Sequence, residues 1–482
     1  MGAGQFVQRP ENLEEALEPA AMMAEAVSAA ASDSGGSGML RRSELIVAVK
    51  GAWSYPDPGR LVAERIGASQ ARTALTGDGG NTPQSVVNLL AREISNGDLG
   101  VAVLVGAEAI WSRRRMRAAG IERSVTRQAP GVEPDRQIGS EIPMSSDNER
   151  SRGFEMPVHF YPTFESAIRR DRGETLDEHR VRISRLWERF NAVAVANPYA
   201  WFRKPMTAEE IRTPSPDNRM VGFPYTKAMN SNWDLDQAAA VVICSAEAAE
   251  AAGVPRDRWV FLHAGTDAHD TYMVSNRWTL GRSPAIRAAG RRVLELAGVG
   301  VDDLGHVDLY SCFPSAVQVA ATEIGLSQER QLTVTGGLTF AGGPLNNYVT
   351  HSIATMVSVL RSDPGTLGLV TANGGYLTKH AMGVYSTEPP AAGFRWQDVQ
   401  EEVDATPTRQ AVDDHDGPVE IEAYTVMHGK EGPERALMAC LLPDGRRAWG
   451  YSTDADTMTA MTKEEFIGRP AHLAAGGVTA FE

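Results

Sequence analysis

The chain has 482 residues, of which 42% are hydrophobic and 22% charged, with a formal net charge of −14. That length exceeds what one core fills and predicts two to four domains of ordinary globular composition. The acidic balance argues against a nucleic-acid partner, whose binding would rest on phosphate contacts. No apolar run approaches the roughly 20 residues of a membrane-spanning helix, so no membrane partner is expected either.

The opening MGAGQFVQRPENLEE has neither the basic stretch nor the apolar segment of a secretory signal. Three cysteines, Cys244, Cys312 and Cys440, lie far apart with no CxxC pair, which argues against a disulfide framework or a structural zinc site. A cytoplasmic location without a metal cofactor is the expectation.

Along the chain, Leu45–Val49 reads as a buried strand and Asn81 as the N-cap of a helix with Pro83 in its first turn. That helix continues through SVVNLLAREI, and Val101–Val105 is the next buried strand. Strand, helix, strand at this spacing is a βαβ unit of a mostly parallel sheet. From Trp111 to about Trp233 the texture changes to charged, aromatic and proline-rich sequence, with helical periodicity clearest in TLDEHRVRISRLWERFNAVAVAN, and it reads as an inserted domain. Within it, Arg113, Arg114, Arg115 and Arg117 form either a solvated basic helix or a contact to nucleotide phosphates.

The α/β alternation resumes at Ala238–Cys244. It continues through the strand Trp259–His263, the helix SPAIRAAGRRVLELAG closed by Gly298, the strand His306–Tyr310 and the strand Gly368–Ala372. This is a second copy of the first half's pattern. After a polar stretch near Glu388–Asp416, the runs Val419–Met427, Arg435–Leu442 and Ala448–Ser452 alternate as strands, with a turn at Pro443-Asp444-Gly445. They predict a small antiparallel β domain, OB-like in outline.

Four segments occur in a fixed order. DQAAAVVICSAEAAEAAG follows the insertion, VDLYSCFPSAV joins a strand to a helix, TGGLTFAGGPLNNY spans Thr335–Tyr348, and GLVTANGGYLTKHAMGVYS closes the second half. Together they resemble the thiolase superfamily over roughly residues 1–390. The sequence GGNTPQ and the C-terminal extension resemble the thiolase-like protein type 1 group. The implied fold is α/β: a thiolase fold of two similar layered halves, each with a five-stranded mixed sheet, plus an inserted loop domain and the small C-terminal β domain. The implied boundaries are 1–111 and 233–254 for the first half, 112–232 for a CoA-binding loop domain, 255–395 for the second half and 410–482 for the β domain. Thiolases open with an apolar strand before a turn resembling GAGQF, so this chain is expected to lack most of its first strand.

Carried over residue by residue, the resemblance implies an emptied Claisen site. The nucleophilic cysteine falls at Gly80 or Asn81, the water-ordering asparagine at Tyr310, the histidine of the glycine-rich loop at Gly343 and the acid/base cysteine at Asn373. Without a nucleophile, covalent acyl transfer has no route, and thiolysis is expected to be weak or absent. The implied function is a thiolase-like protein that binds CoA or acyl-CoA, with Arg113, Arg115 and Lys227 near the phosphates and Gly336, Gly337 and Gly342 against the ligand. Cys312 reads as packing rather than a rescue nucleophile.

Two alternatives stay open. Tyr310 and Tyr348 resemble the tyrosines of steroid-degrading aldolases of the superfamily and could serve as acid and base in carbon–carbon cleavage. Otherwise the protein is a scaffold that recruits a partner through residues 410–482. The cluster His263, Asp267, His269 and Asp270 reads as local hydrogen bonding rather than a metal site, and His351 and His380 are loose acid/base candidates. A monomer is favoured over the thiolase-type dimer.

Overall fold

A computed structural model describes residues 1–36, 38–123 and 125–481. The first half begins with β1 (Gly2–Val7), α1 (Pro19–Ser34), β2 (Leu45–Ala48), α2 (Pro58–Arg65), β3 (Arg72–Thr76), α3 (Thr82–Ser95) and β4 (Val101–Ala109). Strands β2 and β4 are buried along their whole length, which is why they read as continuous apolar runs. The insertion follows as α4 (Ile110–Ala118), β5 (Arg136–Ile138), α5 (Asp147–Ser151), α6 (Pro157–Arg172), α7 (Leu176–Ala196), α8 (Ala208–Arg212), β6 (Met220–Gly222) and β7 (Tyr225–Thr226). A capping box between Thr175 and Glu178 starts α7, its long helix. The chain then returns as β8 (Asp236–Cys244), antiparallel to β4.

The second half runs through α9 (Ala246–Ala251), β9 (Phe261–His269), α10 (Pro284–Ala297), β10 (Leu304–Asp308), α11 (Pro314–Ile324), α12 (Gly337–Phe340), α13 (Tyr348–Ser362), β11 (Leu367–Gly374), β12 (Lys379–Ser386) and β13 (Arg395–Asp398). Strand order and direction repeat between the halves. The runs β1-β8-β4-β2 and β9-β12-β11-β10 each make two antiparallel pairings followed by one parallel pairing. Helices α3 and α13 are the shared middle layer. The first packs on β11 and β12 as well as β4, the second on β1 and β8 as well as β11. That double packing fixes where their N-termini lie.

Two expectations about the sheets need correction. The first-half sheet has six strands, because β5 pairs with the outer edge of β3. Its first strand is present: GAGQFV is itself the edge strand, paired along its length with β8. Its glycines serve close approach rather than a turn. A Cβ on Gly2 or Gly4 would lie 2.4 or 2.2 Å from carbonyl oxygens of α1.

The tail comprises α14 (Gln400–Asp404), β14 (Gly417–His428), β15 (Pro433–Leu441), β16 (Arg447–Ser452), α15 (Ala455–Met461), β17 (Pro470–Leu473) and β18 (Thr479–Ala480). It forms a small β domain in the strand order β16-β15-β14-β17-β18, and a bridge from Tyr451 to Val478 brings the sheet's two ends together. The insertion contributes to this sheet, since β6 pairs with β14. Buried Arg447 binds both Glu422 oxygens at 2.6 Å and donates to the Ser275 carbonyl at 2.9 Å, which ties the tail to the second half.

Candidate functional site

The starts of α3 and α13 meet. The Gly79 N–H donates to Asn346 Oδ1 at 3.0 Å, so the two glycine-bearing loops form one wall of a cleft of about 2,100 Å³ that the insertion closes on the other side. Gly80, Tyr310, Cys312, Gly343 and Asn373 all line it. Sequence reasoning expected this convergence.

The floor shows why the glycines are there. Tyr310 follows β10 and is held by its N–H to Thr371 Oγ1 at 2.9 Å. Its hydroxyl lies 2.4 Å from where a Cβ on Gly80 would stand, and the Asn373 carbonyl lies 2.5 Å from the same point. The space of a nucleophilic side chain at position 80 is therefore filled by tyrosine. At Gly343 a Cβ would meet Ser231 Oγ at 2.3 Å, so serine from the insertion stands where a histidine would project.

Asn373 donates to Tyr161 Oη at 2.8 Å and to Cys312 Sγ at 3.8 Å, while its buried Oδ1 has no donor among the described residues. Burial pushes the Cys312 thiol up to about 12 and holds the Tyr310 hydroxyl well above its ordinary range. Tyr310 and Cys312 are thus both protonated at neutral pH, and Cys312 is a packing residue.

The mouth carries arginines set on aromatic rings, with Glu209, Glu210, Asp217 and Asp234 also in the lining. Arg9 stacks on Trp201 at 3.8 Å and Arg115 on Trp111 at 4.4 Å, and the two indoles meet edge to face at 5.9 Å. Neither arginine has a carboxylate at ion-pair distance among the described residues, whereas Arg114 pairs with Asp234. Lys204 and Lys227 are exposed on the same rim.

Several expected site residues lie elsewhere. Tyr348 is fully buried. Its ring packs edge to face on Tyr310 at 5.5 Å, but its hydroxyl binds Thr335 Oγ1 at 2.7 Å and Asp308 Oδ2 at 3.1 Å, away from the cleft. Asp308 is a buried carboxylate that also accepts from Thr333, Val334 and Ser352, and it draws the tyrosine inward. Arg113 turns back to the Ala52 carbonyl at 2.5 Å.

Gly336, Gly337 and Gly342 do not face the cleft. Each has positive φ, and a Cβ there would strike Ala194, Ser311 or Gln237 respectively, so they serve backbone shape and packing. Asn81 makes no N-cap bond, and its amide reaches Ser85 at 3.3 Å. His351 binds Gln5 at 2.8 Å and His380 lies 3.5 Å from Asp270, both buried and outside the cleft lining. His263 binds the Glu388 carbonyl and Asp267 binds Ser85, Asn88 and Trp396, each with its own local partners.

Arg9, Trp111, Trp201, Ser231 and Tyr161 line or support the cleft without a spacing signal in the sequence, and Lys379 does so from within the closing motif segment, where no role was assigned to it. Only tertiary placement reveals them.

Residues 398–477 match the family described as the thiolase-like protein type 1 additional C-terminal domain. The fold is similar along its whole length to a monomeric SCP2-thiolase like protein type 1 from Mycobacterium smegmatis, with a TM-score of 0.85 and 28% identity, covering 100% of this chain and 98% of that one. A more distant likeness, of fold alone, joins it to an Ltp2-ChsH2(DUF35) aldolase, with a TM-score of 0.61 and 18% identity over 80% of this chain and 96% of the other. In sequence, an acetyl-CoA acetyltransferase of Methanocaldococcus jannaschii is 25% identical over 136 residues, which is 28% of this chain and 33% of the relative's length.

Proposed function

For a chain that resembles thiolase-like protein type 1 throughout and ends in that group's additional domain, we propose the binding of CoA thioesters without ordinary thiolysis. The observation that carries this reading is the floor. Tyr310 and the Asn373 carbonyl occupy the volume a nucleophile at position 80 would need, and Ser231 fills that of the histidine. The cleft is retained while its acyl-transfer groups are gone. Unpaired Arg9 and Arg115, with Lys204 and Lys227, make the mouth fit for a nucleotide's phosphates, and the floor fit for the uncharged thioester end.

Turnover of acetoacetyl-CoA with CoA is the test. No rate above background is expected, and an ordinary thiolase rate would mean that a nucleophile has been overlooked. The turned-in Tyr348 hydroxyl removes the support for a two-tyrosine aldolase. A role as scaffold is weakened by the tail's bonds into both the insertion and the second half. The pairing of β5 on the outer edge of β3 favours a monomer, which light scattering checks.

A further inference from the structure

The cleft has lost both cysteines and the histidine of the resemblance, yet it holds one amine close to the emptied floor. Lys379 opens β12, directly after the tight loop that follows Asn373. It is half-buried and lines the cleft. Its Nζ donates to the Asp78 carbonyl at 2.6 Å, and among the described residues no carboxylate oxygen lies within ion-pair distance of it. The Asp78 carboxylate is engaged by Lys50 at 3.0 Å and by Asn346 at 3.0 Å.

The amine is thus aimed by a neutral acceptor, where a lysine kept only for charge would take a carboxylate. Burial lowers its pKa from the ordinary lysine value. The Lys204 and Lys227 side chains, by contrast, are exposed at the mouth.

The position is specific. Nζ lies 2.9 Å from where a Cβ on Gly79 would stand, and the Tyr310 hydroxyl lies 2.4 Å from the same point on Gly80. These are successive residues, with Cα atoms ~3.8 Å apart. Amine and hydroxyl therefore flank one short stretch of backbone at the thioester end of the cleft. The Tyr310 hydroxyl makes no hydrogen bond to another described residue and is free to donate.

We infer that Lys379 is a general base that removes a proton from the α-carbon of a bound acyl thioester, with Tyr310 donating to the carbonyl oxygen as it gains charge. This rests on the acyl-CoA reading above. In its unprotonated form the amine takes the α-proton, and the C–H electron pair becomes the carbon–carbon double bond of the thioester enolate. The carbonyl oxygen carries the negative charge against the Tyr310 O–H. Return of a proton from the ammonium regenerates the substrate. No bond other than C–H is broken, no oxidant is needed, and the only net change in heavy water is exchange of hydrogen for deuterium.

The experiment incubates the full chain with propionyl-CoA in heavy water and follows deuterium at the α-carbon by mass spectrometry, with calorimetric titration of propionyl-CoA in parallel. The wild type should exchange well above the protein-free control. Lys379→Gln should lower the rate about 100-fold or more while binding stays within about threefold. Lys379→Arg, which keeps the charge but supplies no base near neutral pH, should bind as the wild type and lose exchange equally. Binding without exchange in the wild type would overturn the inference and leave the binding reading standing, as would exchange undiminished in both variants. Absence of propionyl-CoA binding to the wild type would overturn the binding reading, and this inference with it.

Discussion

The floor and the mouth of the cleft are built on opposite principles. The floor is buried: Asn373 binds Tyr161 and Cys312, Tyr310 packs over Gly80, and the glycines make room for them. At the mouth Arg9 and Arg115 rest on tryptophans, while Arg114 pairs with Asp234. Tyr310, the Asn373 carbonyl and Ser231 fill the space beside Gly80 and Gly343, whereas Arg9 and Arg115 stack on indoles and have no carboxylate partner among the described residues. A filled floor beneath a mouth of stacked arginines is what the proposed binding without thiolysis requires.

The sharpest way to break this contrast is to restore a nucleophile. Gly80→Cys should not revive thiolysis, because its Cβ meets the Tyr310 hydroxyl at 2.4 Å. It should instead cost about 1–3 kcal/mol by overpacking, read from urea unfolding. The double variant Gly80→Cys/Tyr310→Phe, which removes the clashing hydroxyl and keeps the ring, should recover part of that loss.

The two tyrosines come next. Tyr348→Phe removes a partner of Asp308 and Thr335 and should destabilise by about 1–2 kcal/mol without changing acyl-CoA affinity. Tyr310→Phe should leave unfolding nearly unchanged. At the mouth the pattern should reverse: Arg9→Ala or Arg115→Ala should weaken CoA binding about tenfold with no loss of stability, and high salt should blunt the difference.

The smallest effect lies at His351 on α13, whose burial lowers its pKa from 6.5 to about 3. A folded value below the unfolded one means that the unfolded chain takes up the proton first, so stability is complete above about pH 6.5 and falls as pH drops toward 3. At pH 6 the loss is about 0.8 kcal/mol, and His351→Gln should show a correspondingly smaller drop between pH 7.5 and 6.

Much of the fold was legible because it rests on ordered patterns. Four segments in register and two rounds of strand and helix fixed the halves, and the repeated strand order bears this out. The first strand was misread because GAGQFV carries turn-like glycines, and nothing local tells a turn glycine from one pressed under a helix. The added strands β5 and β13 are three and four residues long and leave no periodic trace.

At the site, positions aligned to motifs converged as expected at Gly80, Tyr310, Gly343 and Asn373. Side-chain direction was another matter. Tyr348 follows its buried Asp308 partner, which lies 40 residues away in sequence. Arg9 reaches the cleft from beyond the end of β1, and Lys379, although it lies in the closing GLVTANGGYLTKHAMGVYS segment, occupies a position to which the resemblance assigned no role.

Titration calorimetry with acetyl-CoA tests the central claim most directly. Saturable binding at one site per chain is predicted, with heat that persists in Tyr310→Phe and weakens in Arg9→Ala. No heat at millimolar acetyl-CoA would contradict the account.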